Sequence, residues 1–481
     1  MTLEADKLVS NRIHFIGICG TAMATVAAML KARGWDVRGS DQSVYPPMSV
    51  FLREQGIAPL DGYRAENITA DLGLVCVGNA ISRGNPELEA VLDRKIRYCS
   101  LPELVREQFL WSARSIVVAG THGKTTTTSL VGWLLTAAGR DPSVLVGGIA
   151  ANFGGGYRLG GGREFVIEGD EYDSAFFDKT AKFLKYLPDI AIVNNIEFDH
   201  ADIYPDVAAV ELAFKRLAVL VPRNGMLLLG SDSPRAAALA AHAASPVETF
   251  GTDGDPTWRA GELSVGPGGT KFKVHKHGTL FGTFEVPLLG AHNVRNALAG
   301  IAVCATLGID SKAIVEGLKH FAGVKRRLEL RGSVDGIEVY DDFAHHPTAV
   351  AETIAALRLA HPTRRIWAIF EPRSASSCLK IFQSDFVEAF EGADRIVVAP
   401  VFRSKVADDR RLSPEALVAD LVAKGRQARA ATSTADIVDT VAREAASGDL
   451  VVVMSNGGFD GVHEKLLGAL RLRDGSGGQV G

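Results

Sequence analysis

Short apolar runs alternate with helically spaced apolar positions along the first hundred residues of this 481-residue chain. Four of the runs predict strands, and the segment Met23–Arg33 has the three- and four-residue apolar spacing of a helix. Alternation of single strands with helices favours a parallel sheet covered by helices. The predicted strands are Arg12–Ile16, Asp36–Ser40, Leu74–Val77 and Ile96–Tyr98.

The same alternation resumes at Ser115 and predicts a second α/β unit. A glycine-dense stretch, Gly147–Gly162, interrupts it and predicts a mobile loop. Residues 257–288 alternate short β-type runs with Gly and Thr, which indicates a small antiparallel insertion before a helix over His292–Leu307. The predicted strands of this unit are Ser115–Ala119, Phe165–Glu168, Ile190–Asn194 and Met226–Gly230.

A third α/β unit begins near Ile337, and the glycine-rich tail 474–481 is expected to be disordered. Its predicted strands are Ile337–Tyr340, Arg365–Phe370, Arg395–Ala399 and Leu450–Met454. We therefore expect an α/β protein of three domains. A Rossmann-like domain would occupy 1–110, a central P-loop ATPase-like domain with the antiparallel insertion 111–325, and a second Rossmann-like domain 326–481.

Composition narrows the function classes. A formal net charge of −4 does not indicate binding to nucleic acid. The five cysteines form no C-x-x-C pair, which is typical of a reducing compartment and argues against a disulfide scaffold or a zinc site. No apolar run reaches the roughly 18 residues of a membrane span, and no signal sequence opens the chain. We expect a cytoplasmic protein without membrane insertion, as a monomer or a weak homodimer.

A phosphate-binding loop gives the strongest local signal. The strand Ser115–Ala119 runs into G-T-H-G-K-T, and an apolar-periodic helix follows. Glycines and a helix N-terminus present N–H groups to a phosphate, Lys124 would reach the terminal phosphates, and the Thr125 hydroxyl would ligate Mg²⁺. The general pattern requires glycine where this chain has Val118. The context disfavours a mere glycine turn with a threonine-rich cap, but kinase, ATPase and ligase all remain open.

Acidic residues follow two apolar strands of the same unit, where open α/β sheets place their ligands. Mg²⁺ prefers carboxylate and water oxygens and usually takes one or two protein carboxylates. Any single acid is more often a solvated loop residue, but two acid-rich strand ends favour a metal site. The polar residues are Glu168, Asp170, Glu171 and Asp173 in the first segment, and Asn194, Asn195, Glu197, Asp199, His200 and Asp202 in the second.

Two other classes of protein fit part of the pattern. The N-terminal strand, Gly17, Gly20 and the later Asp41 imitate the dinucleotide fold of an NAD-dependent dehydrogenase. Cys19 stands where the middle glycine should allow the pyrophosphate to approach, so this fingerprint fails. A non-catalytic nucleotide-binding module would bind ATP without amine-dependent release of ADP.

Five motifs, in order, resemble those of the Mur ligases: G-T-H-G-K-T-T, E-G-D-E-Y-D, N-N-I-E-F-D-H, G-A-H-N-V-R-N-A-L-A-G and D-D-F-A-H-H-P-T. The resemblance covers essentially the whole chain. It implies an ATP- and Mg²⁺-dependent ligase that joins a carboxylate to an amine through an acyl phosphate, in peptidoglycan metabolism.

The resemblance also implies roles for individual residues. The implied catalytic residues are Lys124, Glu171, His200, Arg327 and His345, and the implied Mg²⁺ ligands are Thr125, Glu171 and His200. The implied ATP-binding residues are Gly120, Thr121, His122, Gly123, Lys124, Thr125, Thr126, His292, Asn293, Asn296, Arg327, Asp342 and Phe343. Phe343 departs from the tyrosine expected in L-alanine-adding members. The lysine that some members carbamylate has no clear counterpart, with Lys215 a distant candidate.

Substrate selection is implied by shorter runs. The loop G-I-C-G-T-A-M-A resembles muramate-binding members, while V-Y-P-P-M-S and E-P-R-S resemble members that attach L-alanyl-γ-D-glutamyl-meso-diaminopimelate to UDP-N-acetylmuramate in peptidoglycan recycling. Addition of free L-alanine is the alternative within the family. The implied substrate-binding residues are Gly20, Thr21, Met23, Asp41, Asn195, Arg373, Ser374, Asn456 and Asp460.

Overall fold

The computed structural model describes residues 10–402 and 406–473; the tail expected to be disordered lies outside the described residues. The chain forms two compact units. The first contains residues up to Ile196 together with Ala208–Thr249, and the second contains Glu197–Val207 together with the chain from Phe250. In the described ranges, no helix has the length and apolar character that a membrane crossing requires.

The first unit opens with a parallel five-stranded sheet. Its strands are β1 (Arg12–Ile16), β2 (Asp36–Asp41), β3 (Leu60–Asp61), β4 (Leu74–Val77) and β5 (Tyr98–Ser100), and its helices are α1 (Thr21–Ala32), α2 (Met48–Glu54), α3 (Pro86–Asp93) and α4 (Leu101–Val105). The strand order is β3-β2-β1-β4-β5. The predicted parallel sheet is confirmed, although β5 begins two residues later than predicted. The apolar side chains of β1 are completely buried, as expected for a central strand of a parallel sheet.

A second sheet of the same unit carries the phosphate loop. Its strands are β6 (Arg114–Ala119), β7 (Ser143–Ala150), β8 (Gly155–Arg158), β9 (Glu164–Glu168), β12 (Ile190–Val193) and β13 (Met226–Gly230), while β10 (Asp173–Ala175) and β11 (Asp178–Ala181) form a separate hairpin. Its helices are α5 (Lys124–Ala137), α6 (Val207–Leu220) and α7 (Pro234–Ala237). The order is β13-β12-β6-β9-β7-β8, parallel except for β8.

The prediction of a mobile loop at Gly147–Gly162 is wrong. Strand β7 continues into this stretch and β8 returns antiparallel to it, with Ala150 opposite Gly155. The backbone packs closely at two of the glycines, because a Cβ would lie 2.1 Å from the carbonyl oxygen of Asp141 at Gly160 and 2.0 Å from that of Arg140 at Gly162. The Asp141 carboxylate also accepts a hydrogen bond from Gly161 N at 2.7 Å.

The second unit begins with the predicted antiparallel insertion, which is confirmed. After β14 (Val247–Gly251) come β15 (Trp258–Gly266), β16 (Gly269–Lys276) and β17 (Thr279–Val286), paired in that order. Trp258, Phe272 and Phe284 are buried in it. Helices α8 (Ala291–Thr306) and α9 (Ser311–Lys319) follow, so the predicted helix from His292 is confirmed.

The C-terminal sheet of the second unit brings three predicted site segments to one edge. Its strands are β18 (Glu329–Val334), β19 (Ile337–Asp342), β20 (Ile366–Phe370), β21 (Arg395–Val398), β22 (Ala428–Ala430) and β23 (Leu450–Met454). Its helices are α10 (Pro347–Ala360), α11 (Gln383–Ala389), α12 (Pro414–Ala423), α13 (Thr434–Glu444) and α14 (Val462–Arg473). The order is β18-β19-β23-β20-β21-β22, parallel except for β18. Asp342, Met454 and Phe370 are in register, so the segments after these three strands are neighbours.

Candidate active site

Two glycines shape the phosphate loop between β6 and α5. Gly120 has φ +130° and Gly123 has φ +81°, both in the region that favours glycine. A Cβ at Gly120 would lie 3.0 Å from the backbone nitrogen of Asn194, so a side chain has no room there. Thr121 N donates to Asn195 O at 3.0 Å and His122 N donates to the Asn195 side-chain oxygen at 2.8 Å. The end of β12 therefore fixes the loop, and the Asn195 side chain, an expected substrate contact, holds it.

Helix α5 begins directly after this loop. Its N-cap residue is Gly123, which has no side chain to occupy the first N–H groups of the helix. Those N–H groups and the helix dipole favour an anion at this end. The geometry therefore fits the phosphates of a nucleotide without the glycine that the general pattern places at position 118.

Lys124 is the charged group of the loop. Its Nζ lies 2.9 and 2.7 Å from the two carboxylate oxygens of Glu171, and it donates to Gly120 O at 2.8 Å. The side chains are 12% and 2% exposed, respectively. Burial opposes the charge, but Glu171 and Asp170 outweigh it and raise the pKa of Lys124. The ammonium is thus charged at neutral pH and held where the loop would place a phosphate.

Glu168, the last residue of β9, is the second carboxylate beside the loop. It accepts hydrogen bonds from the Thr125 hydroxyl at 3.1 Å and from Gly147 N at 2.7 Å. Burial raises the pKa of Glu168, against the opposing effects of Gly147 N–H and Lys124. The resemblance pairs Thr125 with Glu171 as metal ligands, whereas the structure pairs it with Glu168. One hydroxyl and two carboxylates supply hard oxygen donors of the kind that Mg²⁺ prefers.

The N-terminal glycine loop lies between β1 and α1. Gly17 has φ +87° and donates its N–H to Ser40 O at 2.9 Å. The Asp41 carboxylate accepts from Cys19 N at 2.9 Å, so Asp41 fastens the loop. Burial and Asp41 raise the pKa of the Cys19 thiol to about 11, which keeps it protonated. Among the other expected substrate residues, Gly20 and Thr21 are exposed at the start of α1, whereas Met23 is buried.

Residues expected near adenine lie at the start of α8. Gly290 precedes the helix with φ +93°. Asn293 is buried and donates to Leu289 O at 2.8 Å, and Asn296 donates to the Asn293 side-chain oxygen at 3.2 Å. Burial lowers the pKa of His292, so its imidazole is neutral at pH 7. The two asparagine side chains brace one another at the first turn of the helix.

The segment 326–328 is pinned to the end of β19. The Asp342 carboxylate accepts from Leu328 N at 2.7 Å and from Ala344 N at 2.8 Å, and burial raises the pKa of Asp342. The guanidinium carbons of Arg326 and Arg327 lie 5.2 and 5.1 Å from the centre of the Phe343 ring. Asp342 thus shapes the backbone that presents Arg327 and Phe343.

Arg373 lies at the carboxyl edge of the C-terminal sheet. Its guanidinium carbon is 3.6 Å from the centre of the Phe402 ring, and a Cβ at Gly457 would meet its Nε at 2.2 Å. The neighbouring Asn456 has a buried side-chain oxygen with no hydrogen-bond partner in the described part of the chain. The Ser374 hydroxyl instead bonds to the Ser377 hydroxyl at 2.9 Å. Asp460 is exposed and pairs with Lys465 at 2.6 Å.

The segment that follows β12 and contains Asp199 and His200 belongs to the second unit, where it contacts the start of α10. Nε2 of His345 lies 3.9 Å from the Asp199 carboxylate. Thr348 Oγ1 donates to Glu197 at 2.7 Å. Burial alone would raise the pKa of Asp199, but the neighbouring His200 and His345 lower it. His200 itself has φ +53°, an unusual backbone conformation for a residue with a side chain.

Models of one protein family match three consecutive stretches of the chain. They are described as the catalytic domain of the Mur ligase family at residues 12–109, the Mur ligase middle domain at 118–304, and the glutamate ligase domain at 326–457. Together they span more than half of the sequence. The chain belongs to the Mur ligase family. The predicted resemblance is confirmed, and the chain is an ATP-dependent ligase.

Individual relatives match this Mur ligase over nearly its full length. The UDP-N-acetylmuramate–L-alanyl-γ-D-glutamyl-meso-2,6-diaminoheptandioate ligases of Haemophilus influenzae and Escherichia coli are each 39% identical, covering 96% and 95% of this chain and 100% and 98% of theirs. The UDP-N-acetylmuramate–L-alanine ligase of Desulfitobacterium hafniense is 34% identical, covering 95% of this chain and 99% of its own.

Solved structures agree with the fold. The crystal structure of a murein peptide ligase from Psychrobacter arcticus is 35% identical, with a TM-score of 0.69 over 98% of this chain and 99% of that one. A UDP-N-acetylmuramate–alanine ligase from Thermotoga maritima matches with a TM-score of 0.77 at 24% identity, over 95% of this chain and 98% of that one.

The three-domain α/β prediction is confirmed, while the exact boundaries at 110 and 325 stay predictions. The dehydrogenase and non-catalytic alternatives are wrong.

Proposed function

We propose that this Mur ligase joins the tripeptide L-alanyl-γ-D-glutamyl-meso-diaminopimelate to UDP-N-acetylmuramate, with ATP and Mg²⁺. One difference between relatives carries the choice of substrate. Ligases named for this tripeptide are 39% identical to the chain, whereas the L-alanine ligases of Desulfitobacterium hafniense and Agrobacterium fabrum are 34% and 36% identical at similar coverage.

The residues around the phosphate loop fit ATP and Mg²⁺. Lys124 and the loop N–H groups would bind the phosphates, and Thr125, Glu168 and Glu171 offer oxygen ligands for the metal. Bound Mg²⁺ would neutralise charge on the phosphate oxygens. In the structure Glu171 holds the Lys124 ammonium. A bound phosphate would compete for that ammonium and free the carboxylate for the metal.

The reaction has two steps. An oxygen of the lactyl carboxylate of UDP-N-acetylmuramate bonds to the γ-phosphorus as the bond to the β–γ bridging oxygen breaks, and ADP leaves. The α-amine of the tripeptide then bonds to the acyl carbon, the acyl carbon–oxygen bond breaks, phosphate leaves, and the amine loses a proton. Lys124 would stabilise charge during the first step, because positioning and electrostatics supply most of the catalysis of phosphoryl transfer.

The remaining residues are assigned by domain. Gly20 and Thr21, exposed beside the N-terminal glycine loop, would contact the uridine diphosphate sugar. Arg373 and Asn456 would bind the peptide, since a guanidinium forms paired hydrogen bonds with a carboxylate. Arg327, Phe343 and the start of α8 would surround the nucleotide base and sugar. His200 as a metal ligand and His345 as a catalytic group stay predictions.

Transfer of labelled oxygen tests this chemistry. With ¹⁸O in the lactyl carboxylate of UDP-N-acetylmuramate, the acyl-phosphate route leaves one ¹⁸O atom in the released phosphate for each amide formed. Mass spectrometry of the phosphate measures this directly, and unlabelled UDP-N-acetylmuramate in ¹⁸O-enriched water is the control. Amide formation with label-free phosphate would contradict the proposed route.

A further inference from the structure

A short hairpin connects the phosphate loop region to the N-terminal domain within the first unit. It consists of β10 and β11, and its turn carries Phe176 and Phe177. Phe176 packs against the buried core of the N-terminal domain. The Phe177 ring meets Tyr98 of β5 edge to face, with 5.2 Å between centroids. The tip of the hairpin is therefore anchored on the domain assigned to the UDP-sugar.

One polar contact stands at the base of this hairpin. The side-chain nitrogen of Asn79 donates to Asp173 Oδ1 at 2.8 Å. The other oxygen of Asp173 accepts from Lys179 Nζ at 2.6 Å, and Asp173 is 6% exposed. A buried carboxylate thus joins two parts of the chain that are 94 residues apart in sequence.

Asn79 belongs to the loop after β4, beside the N-terminal glycine loop. Gly78 N donates to Ile16 O at 3.0 Å, and a Cβ at Gly78 would lie 3.5 Å from the Met23 side chain. A Cβ at Gly17 would lie 3.5 Å from Ile81 in the same loop. The two loops lie against one another at the carboxyl edge of the N-terminal sheet, where open α/β sheets bind ligands.

Asp173 is also close in sequence to the residues beside the phosphate loop. It follows Glu171 by two residues, and Glu171 holds the Lys124 ammonium at 2.7 Å. Asp170, just before Glu171, is held by Lys182 at 2.6 Å, which fixes the segment from its other side. A displacement of Asp173 would therefore be transmitted over a very short length of backbone to the residues expected around the γ-phosphate.

We propose that Asn79 and Asp173 form a positioning pair that sets the distance between the UDP-sugar loop and the phosphate loop. The pair does not touch the reacting atoms. It holds the two loops at the separation from which the lactyl carboxylate reaches the γ-phosphorus. This role rests on the proposed function, and specifically on its first step, the phosphorylation of the carboxylate.

An exchange of the two side chains tests the pair. Asn79→Asp places two carboxylates at hydrogen-bond distance. Asp173→Asn replaces the carboxylate by an amide. The double variant restores an amide–carboxylate contact with the two groups exchanged. The assay measures formation of the UDP-N-acetylmuramate hydroxamate from ATP, with hydroxylamine as acceptor and no peptide. Hydroxylamine attacks the acyl carbon and phosphate leaves, so the assay reports the first step whatever amine the enzyme prefers.

We expect Asn79→Asp to lower kcat for the hydroxamate about tenfold, with KM for UDP-N-acetylmuramate changed less than threefold. The double variant should regain most of the lost kcat. Lys179→Ala is the matched control, since it removes the exposed partner of Asp173 and leaves the Asn79 contact, and its kcat should stay within twofold of wild type. The thermal unfolding temperature of every variant is also measured, so that a loss of kcat through unfolding is distinguished from a loss through displaced loops.

Three results would overturn the positioning role: full activity of Asn79→Asp, failure of the exchange in a folded double variant, or a loss that appears in KM alone. A wrong assignment of the tripeptide as substrate would give a different result. The wild type would then form the hydroxamate normally but would release no phosphate in response to the tripeptide.

Discussion

Replacement of Lys124 by methionine is expected to lower kcat for ATP-dependent amide formation by about 10³-fold or more. Methionine keeps much of the length and apolar volume of the lysine side chain but removes the charge that the phosphate loop holds. The Lys124 side chain is 12% exposed and its ammonium contacts Glu171 and the Gly120 carbonyl, so the variant removes a charge that is held in one position beside the loop. Loss of a preorganised positive group from a phosphoryl-transfer site typically costs this much.

Lys179→Met is the matched control for this variant. Lys179 also pairs with a buried aspartate, but its side chain is 67% exposed and its partner is Asp173, not Glu171. Its kcat should remain within about twofold of wild type, because the exposed Lys179 ammonium is screened by solvent. Turnover by a folded Lys124→Met variant at more than a tenth of the wild-type rate would contradict the assignment of the loop.

Replacement of Arg373 by lysine is expected to lower kcat/KM for the tripeptide about 100-fold. The charge is retained, but lysine lacks the planar fork that binds a carboxylate through two hydrogen bonds and stacks on the Phe402 ring. Gly457 allows the guanidinium to cross the backbone, with no space for a Cβ, so Arg373 occupies a site built around its shape. The affinity for an ATP analogue should not change.

Arg395→Lys serves as the control for Arg373. Its guanidinium also faces an aromatic ring, at 5.8 Å from the centre of Trp367, but it lies on β21 away from the carboxyl edge of the sheet. Its kcat/KM for the tripeptide should be close to that of the wild type. If Arg373→Lys has the same kcat/KM as Arg395→Lys, then Arg373 does not bind the peptide.

The sequence predicted best where a local pattern determines local structure. The apolar runs predict the first and last residues of β1, β4, β13 and β23 correctly. The order of a strand, two glycines and a helix predicts the position of the phosphate loop. The prediction for Gly147–Gly162 is wrong because glycine is used for two opposite purposes, flexibility and close packing. Only the position of the Asp141 backbone, which no local pattern encodes, distinguishes them.

Contacts between segments that are distant in the chain could not be predicted from the sequence. The E-G-D-E-Y-D run offered four acids of equal chemistry, and nothing in the run says that Glu171 pairs with Lys124 while Glu168 meets Thr125. That choice depends on the alternation of side chains at the end of β9 and on the position of α5. Glu168 was nevertheless detectable, since it ends a strand beside the phosphate loop.

Arg326 shows the same limit in the C-terminal domain. The K-R-R-L run presents two adjacent arginines, and the resemblance assigns only Arg327. The structure shows Arg326 donating to the carbonyls of Ser455 and Gly457 at 2.6 and 2.7 Å. These residues are far apart in sequence, and only the sheet order that places β19 beside β23 brings them together.

The ratio of kcat/KM for the tripeptide to that for L-alanine is the most direct measure of the proposed function. Phosphate release is followed with ATP, Mg²⁺ and UDP-N-acetylmuramate at saturation while each amine is varied separately. We predict a ratio above about 100, because a site that binds the distal carboxylates of the peptide loses those contacts with the free amino acid. A ratio below one would contradict the account and would make the chain an L-alanine-adding member of the Mur ligase family.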